Sequence, residues 1–383
     1  MTEALLQARD LVQEFTVRGQ GGVHGGVVQA VSNVSLEIFP GETLAVVGET
    51  GSGKSTLARS IMHAPPPKSG DVVFQGASLT RLHLSHRWTA LRNARRSMQM
   101  IFQDPYTSLD PLWSVSRIVA EPLVAAGPRD RAKRRQRVGE LLEQVGLDIA
   151  VHGGRRAREL SGGQCQRVAI ARALAASPAL IIADEAVSSL DVLVQAQVLN
   201  LLEGLRTSLG LSYLFIAHDL ALVKQVSDRV AVMYLGRLCE TGPAGEVYAR
   251  PRHPYTVELL DAVPRVEQAE LGKRPVSELA ADQLTTGGDP ASPVNPPSGC
   301  RFRTRCPRAR PRCAEETPAL RAVPGDAAGH LVACHFPIVD GNQPTVMVKA
   351  VEEAGGANAS GAAGVGGAGV GGAAAGAPAT DPK

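Results

Sequence analysis

The strand-like run Thr43–Val47 (TLAVV) passes straight into Gly48-Glu-Thr-Gly-Ser-Gly-Lys-Ser-Thr56, and a helical run, Leu57–Met62, follows. Strand, glycine-rich loop and helix in that order make a P-loop. Each part has a physical reason. Glycines at 48, 51 and 53 let the backbone curl until its N–H groups point at phosphate oxygens, and the helix start adds a partial positive charge. Lys54 is placed to reach the β- and γ-phosphates, and the Ser55 hydroxyl to ligate Mg²⁺. Gly48, Glu49, Thr50, Gly51, Ser52, Gly53, Lys54, Ser55 and Thr56 are therefore the first candidate nucleotide contacts.

The rest of the chain supplies the companions such a loop needs. From residue 1 to about 264, β-like runs alternate with helical ones, the rhythm of an α/β domain. Ser97–Phe102, Leu180–Ala183 and Ser212–Ala217 read as further strands, and about 104–159 reads as a charged helical insertion. Leu180–Ala183 delivers Asp184-Glu185 at its C-terminal edge. Asp184 is placed to hold Mg²⁺, and Glu185 to orient and polarise an attacking water; the plainer role for Glu185 is to cap the next helix.

Leu160-Ser-Gly-Gly-Gln-Cys-Gln-Arg167 stands before a long helical run, so Ser161, Gly162 and Gly163 form a second anion-binding helix start. One molecule cannot easily aim two such starts at one γ-phosphate. Two copies packed head to tail can.

Bulk properties exclude several classes. At 383 residues there is room for one large domain and an appendage, and a net charge of +3 demands neither nucleic acid nor an anionic membrane. The basic run Arg129–Arg137 has no interleaved aromatics and reads as a solvated helix face. No N-terminal secretory pattern is present, and no run is long and apolar enough to span a bilayer, so any membrane role goes through a partner. Residues 265–298, rich in Pro, Gly and polar residues, read as a linker, 299–340 as a small cysteine-bearing module, and 341–383 as an Ala/Gly-rich disordered tail. Gly19–Gly26 reads as a flexible turn between two early strands.

LSGGQ ahead of a strand ending in Asp-Glu, together with the P-loop, resembles the ABC ATPases, and the family's motifs occur in order. The resemblance implies a P-loop NTPase fold, an ABC nucleotide-binding domain with a RecA-like core and a helical subdomain. It implies further roles for residues that match the family's motifs. Gln103, in IFQDPYTSLDP, matches the Q-loop glutamine that contacts Mg²⁺ and the membrane partner. Asp191, in SSLD, matches the D-loop; with Ser161, Gly162, Gly163 and Gln164 it is expected to contact ATP held by the other subunit. His218, in FIAHDL, matches the γ-phosphate switch histidine, although a lone His after an apolar strand is more often structural. Phe15, in LVQEFTV, is the candidate to stack on adenine, with a core Phe as the alternative.

Longer strings, Met98–Pro111, Asp184–Leu202, Ala249–Pro264 and Pro296–Cys313, resemble the oligopeptide/dipeptide importer ATPases, and GGQCQR resembles the F-type second ATPase of such systems. Ala186, Asp110 and Ser189 depart from the family's usual Pro, Asn and Ala, without removing a ligand or base.

The resemblance implies ATP hydrolysis with Mg²⁺, driving import of peptides or of nickel, glutathione or oligosaccharide. It implies a second ATPase subunit, in a heterodimer by family pattern, two transmembrane permease subunits and an extracytoplasmic substrate-binding protein, with the chain peripheral at the cytoplasmic face of the membrane. A soluble non-transport ABC ATPase and an iron–sulfur sensor are the rival readings.

Cys300, Cys306, Cys313 and Cys334 are spaced C-x₅-C-x₆-C-x₂₀-C, unlike the close pairs of zinc ribbons. The importer family's matching element implies a [4Fe–4S] site here, with neighbouring arginines to offset its charge; zinc and free thiols stay open. Cys165 and Cys239 read as small packing residues.

Overall fold

The structure, a computed structural model, describes residues 3–17, 26–127, 130–262 and 292–339. Nearly all of the expected Gly19–Gly26 turn, most of the linker at 265–298 and the tail at 341–383 lie outside the described residues.

Two sheets make the frame. The strands are β1 (Leu6–Val17), β2 (Gly26–Ile38), β3 (Thr43–Val47), β4 (Ser69–Phe74), β5 (Ala77–Ser78), β6 (Met98–Ile101), β7 (Leu180–Asp184), β8 (Ser212–Ala217), β9 (Arg229–Tyr234), β10 (Arg237–Pro243), β11 (Arg321–Ala322) and β12 (Leu331–Val332). The larger sheet runs β11-β12-β10-β9-β3-β8-β7-β6, and the smaller, antiparallel one β2-β1-β4-β5.

In the larger sheet β9, β3, β8, β7 and β6 are parallel. β3, β7 and β8 are buried along their whole length. Their alternate residues serve two different cores: Ala45, Val47, Ile181, Ala183 and Phe215 face one, and Leu44, Val46, Leu180, Ile182 and Leu214 the other. A strand covered on both faces needs an unbroken apolar run, which is why these segments are continuous rather than alternating in sequence.

β3 and β8 form over the spans their patterns predict, and β7 and β6 within a residue or two. Between β6 and β7 the chain is helical, chiefly at Val115–Ala125, Arg131–Gln144 and Gly162–Leu174. Arg131–Arg135 lie on the outward part of the second of these, capped by Asp130, as a solvated face should.

The cysteine-bearing segment does not stand apart. β12 pairs with β10 and β11 with β12, so it completes the edge of the larger sheet. Phe302 packs into the main core against Tyr234, Tyr255 and His253, with ring centroids 5.3, 5.3 and 5.7 Å away. A buried polar seam joins the two parts. Arg252 pairs bidentately with Asp326 and donates to the Ile338 carbonyl (2.9 Å), while Glu240 accepts from the Arg252 and His253 amides (2.7 and 2.8 Å) and faces His330 Nε2 at 2.7 Å. Charges taken this far from water are held only because each has partners of the opposite kind.

His253 caps helix Pro254–Asp261, its Nδ1 accepting from the Tyr255 amide at 3.1 Å. Burial lowers its pKa from 6.5 to about 3. The unfolded chain therefore takes up a proton that the folded one refuses, and stability is whole above about 6.5 and lost as pH falls toward about 3. His253→Asn keeps a capping acceptor without the titration. Urea unfolding of this variant between pH 6 and 4 is expected to show a pH slope shallower than wild type by about 1 kcal/mol per pH unit; an unchanged slope refutes the assignment.

Candidate functional site

The C-terminal ends of β3, β7 and β8 lie side by side at one edge of the parallel sheet, with β6 beyond β7. Ligands of open α/β sheets collect at that edge. Each strand delivers one part of the site: the glycine-rich loop after β3, Asp184-Glu185 at the end of β7, His218 after β8 and Gln103 after β6.

The loop closes onto backbone. A Cβ on Gly48 would lie 2.1 Å from the Met233 carbonyl oxygen, and one on Gly53 2.0 Å from that of Ala30. Both glycines also have positive φ, +152° and +105°. Gly236 N–H donates to the Ser52 carbonyl (2.7 Å) and Glu49 N–H to the Tyr255 hydroxyl (2.9 Å), pinning the loop from outside. Gly53 then caps helix Lys54–Ile61, aiming that helix start at the cradle.

Inside, Lys54 Nζ folds back onto the carbonyls of Gly48 (2.7 Å) and Glu49 (2.9 Å). Burial lowers its pKa, against the upward pull of Glu185, Asp184 and Glu49. Ser55 Oγ donates to Asp184 Oδ1 at 2.8 Å. Burial raises the Asp184 pKa, with the Ser55 hydrogen bond and Arg59 opposing. A buried carboxylate beside a serine hydroxyl is a donor set suited to a divalent cation, whose charge would offset that burial.

Glu185 sits one residue on, at φ +48°, in the left-handed region that a non-glycine residue avoids. The surroundings enforce it: Glu185 N–H donates to the Ile216 carbonyl (3.0 Å), and the Ser188 amide and hydroxyl both donate to the Glu185 carbonyl (3.1 and 2.9 Å). Glu185 Oε2 accepts from Gln103 Nε2 at 2.7 Å and lies 3.6 Å from His218 Nδ1. His218 is half exposed rather than buried, so the structural-histidine reading does not hold. Glu185 does not cap the following helix either; Asp191 does, accepting from the Val194 amide at 3.0 Å.

Phe15 lies on β1 and is 40% exposed, which removes the core-Phe alternative. The signature residues sit elsewhere. Ser161 caps helix Gly162–Leu174 in a reciprocal box with Gln164 (3.3 and 3.1 Å), and their hydrogen bonds run to each other, not to the loop. Gly163 packs against the next helix: a Cβ there would meet Val194 Cγ1 at 2.5 Å. Thus Lys54, Ser55, Asp184, Glu185, Gln103 and His218 come together, while Ser161–Gln164 and Asp191 form a separate group.

Residues 31–188 match the family described as "ABC transporter", and residues 239–313 the one described as "Oligopeptide/dipeptide transporter, C-terminal region". Over 336 residues the chain is 45% identical to the probable peptide ABC transporter ATP-binding protein y4tS of Sinorhizobium fredii, covering 88% of this chain and 90% of that one. It is 42% identical to the oligopeptide transport ATP-binding protein AppF of Bacillus subtilis, over 87% of this chain and 98% of that one. The chain belongs to the peptide ABC transporter ATP-binding proteins. Among solved structures, the dimeric post-hydrolysis state of the ATP-binding cassette MJ0796 bound to ADP and Pi is similar to this ABC ATPase. The two share 28% identity with a TM-score of 0.54, over 62% of this chain and 98% of that one.

The iron–sulfur expectation is not supported. Cys300, Cys306, Cys313 and Cys334 form no disulfide, and among the described residues no group of three or more His, Cys, Asp or Glu has the geometry to hold a metal ion, although the four thiols lie near enough to act on one another's charge. Burial raises the thiol pKa of Cys300, Cys306 and Cys334, the last to about 12. Arg303 and Arg308 oppose the upward shifts at Cys300 and Cys306, while other contacts of this arginine set go elsewhere: Arg303 also donates to the Ser298 carbonyl (2.9 Å), Arg312 to Glu316 (2.8 Å), and Arg301 to the Leu235 carbonyl, Gln29 and Ser32. Cys165 and Cys239 are buried, as packing residues are.

Sequence reasoning missed Tyr255 as a prop of the phosphate loop. It stands in the string ARPRHPYT used only for family likeness, and nothing local marks a hydroxyl for contact with Glu49, 206 residues away.

Gly53→Ala and Gly51→Ala separate close approach from backbone strain. Gly51 has φ +83° and nothing within 4 Å of a Cβ. In urea unfolding, Gly51→Ala is expected to cost about 1 kcal/mol and Gly53→Ala roughly 3 kcal/mol or more. Equal losses at the two positions refute the packing account.

Proposed function

We propose that this ABC ATPase hydrolyses ATP to drive peptide import through membrane permease subunits. The observation that carries the reading is the grouping of Glu185, Gln103 and His218 beside the loop that carries Lys54. Lys54 is free to exchange two backbone carbonyls for phosphate oxygens, and the glycine-rich backbone of residues 48–56 supplies N–H donors. Ser55, Asp184 and Gln103 are the residues to hold Mg²⁺, which when bound neutralises phosphate charge.

Glu185 is the general base. It is anchored on three sides, so its carboxylate is oriented before any water arrives. His218, at 3.6 Å from that carboxylate and half exposed, is positioned to meet both the base and the terminal phosphate. Phe15 offers an exposed ring for adenine.

Ser161, Gly162, Gly163, Gln164 and Asp191 serve the nucleotide of a second ATPase subunit in a head-to-tail pair. Their hydrogen bonds, which run to one another and to their own helix starts rather than to the loop, and the dimeric state named for the MJ0796 cassette, support that reading. The second subunit of the pair is a different ATPase in this reading, with this chain in the F-type position of a heterodimer fed by a substrate-binding protein across the membrane; the likeness to an oligopeptide transport ATP-binding protein supports the peptide cargo. No helix of the described residues is long and apolar enough to cross a membrane, which suits a peripheral subunit at the cytoplasmic face.

Glu185→Gln preserves size and the Gln103 neighbourhood but removes the base. ATP binding by calorimetry is expected within about threefold of wild type, with turnover down by roughly 10²–10³. Wild-type turnover in this variant removes Glu185 from the role.

A further inference from the structure

One cation of the C-terminal segment reaches the nucleotide site. Arg305, 256 residues from the phosphate loop in sequence, places Nη1 2.9 Å from Glu49 Oε1 and 3.0 Å from Oε2, and pairs through Nη2 with Glu258. Its side chain is 12% exposed, with the guanidinium 5.6 Å from the Phe302 ring and 5.7 Å from that of Tyr234. A fork held between two carboxylates and two rings has little freedom to leave.

Glu49 is no ordinary surface acid. Its carbonyl accepts from Lys54 Nζ at 2.9 Å and its amide is held by Tyr255, so its backbone is part of the phosphate cradle. Burial lowers the Lys54 pKa, and the charge of Glu49 joins Glu185 and Asp184 in opposing that. An unpaired carboxylate there would repel the phosphates that the cradle exists to bind. Arg301 reinforces the same contact, donating to the Leu235 carbonyl beside Gly236, which in turn donates to Ser52 of the loop.

We propose that Arg305 is a positioning residue for the phosphate loop, neutralising Glu49 and holding it off the phosphates, so that the C-terminal segment sets part of the affinity for MgATP. The inference rests on the ATPase reading above. It makes the segment a working part of the nucleotide site, and any change that shifts Arg305 changes ATP affinity.

The test is calorimetric titration of MgATP into the full chain at low and high salt, with turnover at saturating ATP measured alongside. Arg305→Gln is expected to weaken MgATP binding about tenfold at low salt and less at high salt, with saturated turnover within about twofold of wild type. Adding Glu49→Gln to Arg305→Gln is expected to recover most of that loss, because the uncompensated charge is gone. A C-terminal segment that had merely come loose would not be mended this way.

Glu49→Gln alone leaves the segment and an acceptor for Arg305 in place, and is expected to tighten binding about threefold. This variant decides the matter should Arg305→Gln not fold. Wild-type affinity in Arg305→Gln, no recovery in the double variant, or weaker binding in Glu49→Gln overturns the proposal. A wild-type chain that binds no MgATP overturns the ATPase reading beneath it, whereas a wild type that binds beside unmoved variants overturns only this inference.

Discussion

The phosphate loop is wedged where two sheets meet, and this contact fixes everything around it. Gly53 lies against the carbonyl of Ala30, on β2 of the smaller sheet, and Gly48 against that of Met233, on β9 of the larger one. Neither gap admits a single extra carbon atom. A loop so confined cannot adjust to its ligand by moving its backbone, and the geometry offered to phosphate is set by the packing of both sheets. The side chains, not the backbone, carry the freedom: Lys54 turns inward on the loop's own carbonyls.

Charge at the site is arranged around that rigid loop. Burial pushes Asp184 toward its neutral form and Lys54 toward its own, so each is a poor ion without company. The seam between Glu240, Arg252, Asp326 and His330 is equally buried, yet its polar groups hold one another through short contacts.

The sequence made the catalytic edge legible because its parts are local. A strand buried on both faces is a continuous apolar run, and Thr43–Val47 and Ser212–Ala217 end where their patterns end. The loop, the acid pair and the signature each carry their chemistry within a few residues. The C-terminal segment was read through its cysteines, and its arginines as counter-charges to a cluster. Its structural role instead lies in pairs remote in sequence: Arg305 with Glu49, Arg252 with Asp326, and Phe302 with Tyr234 and Tyr255. Spacing along one chain does not report such pairs. The left-handed backbone at Glu185 was equally invisible, since Asp-Glu at a strand end says nothing about φ.

Glu185 is also where two separate segments meet a turn of its own. Gln103 donates to its carboxylate from the loop after β6, His218 approaches that carboxylate from the end of β8, and its backbone carbonyl anchors the turn that leads to Ser189. Ser189 Oγ in turn lies 3.4 Å from the Gln103 carbonyl, closing a small ring of contacts. Beyond Gln103 the surface carries exposed Phe102, Tyr106 and Leu112, and beyond Asp191 exposed Val192 and Leu193. Force applied by a partner at the first of these surfaces reaches Glu185 through the one hydrogen bond from Gln103. A carboxylate held at strained φ has few places to go, so such a displacement lengthens or breaks that bond rather than being absorbed by the backbone.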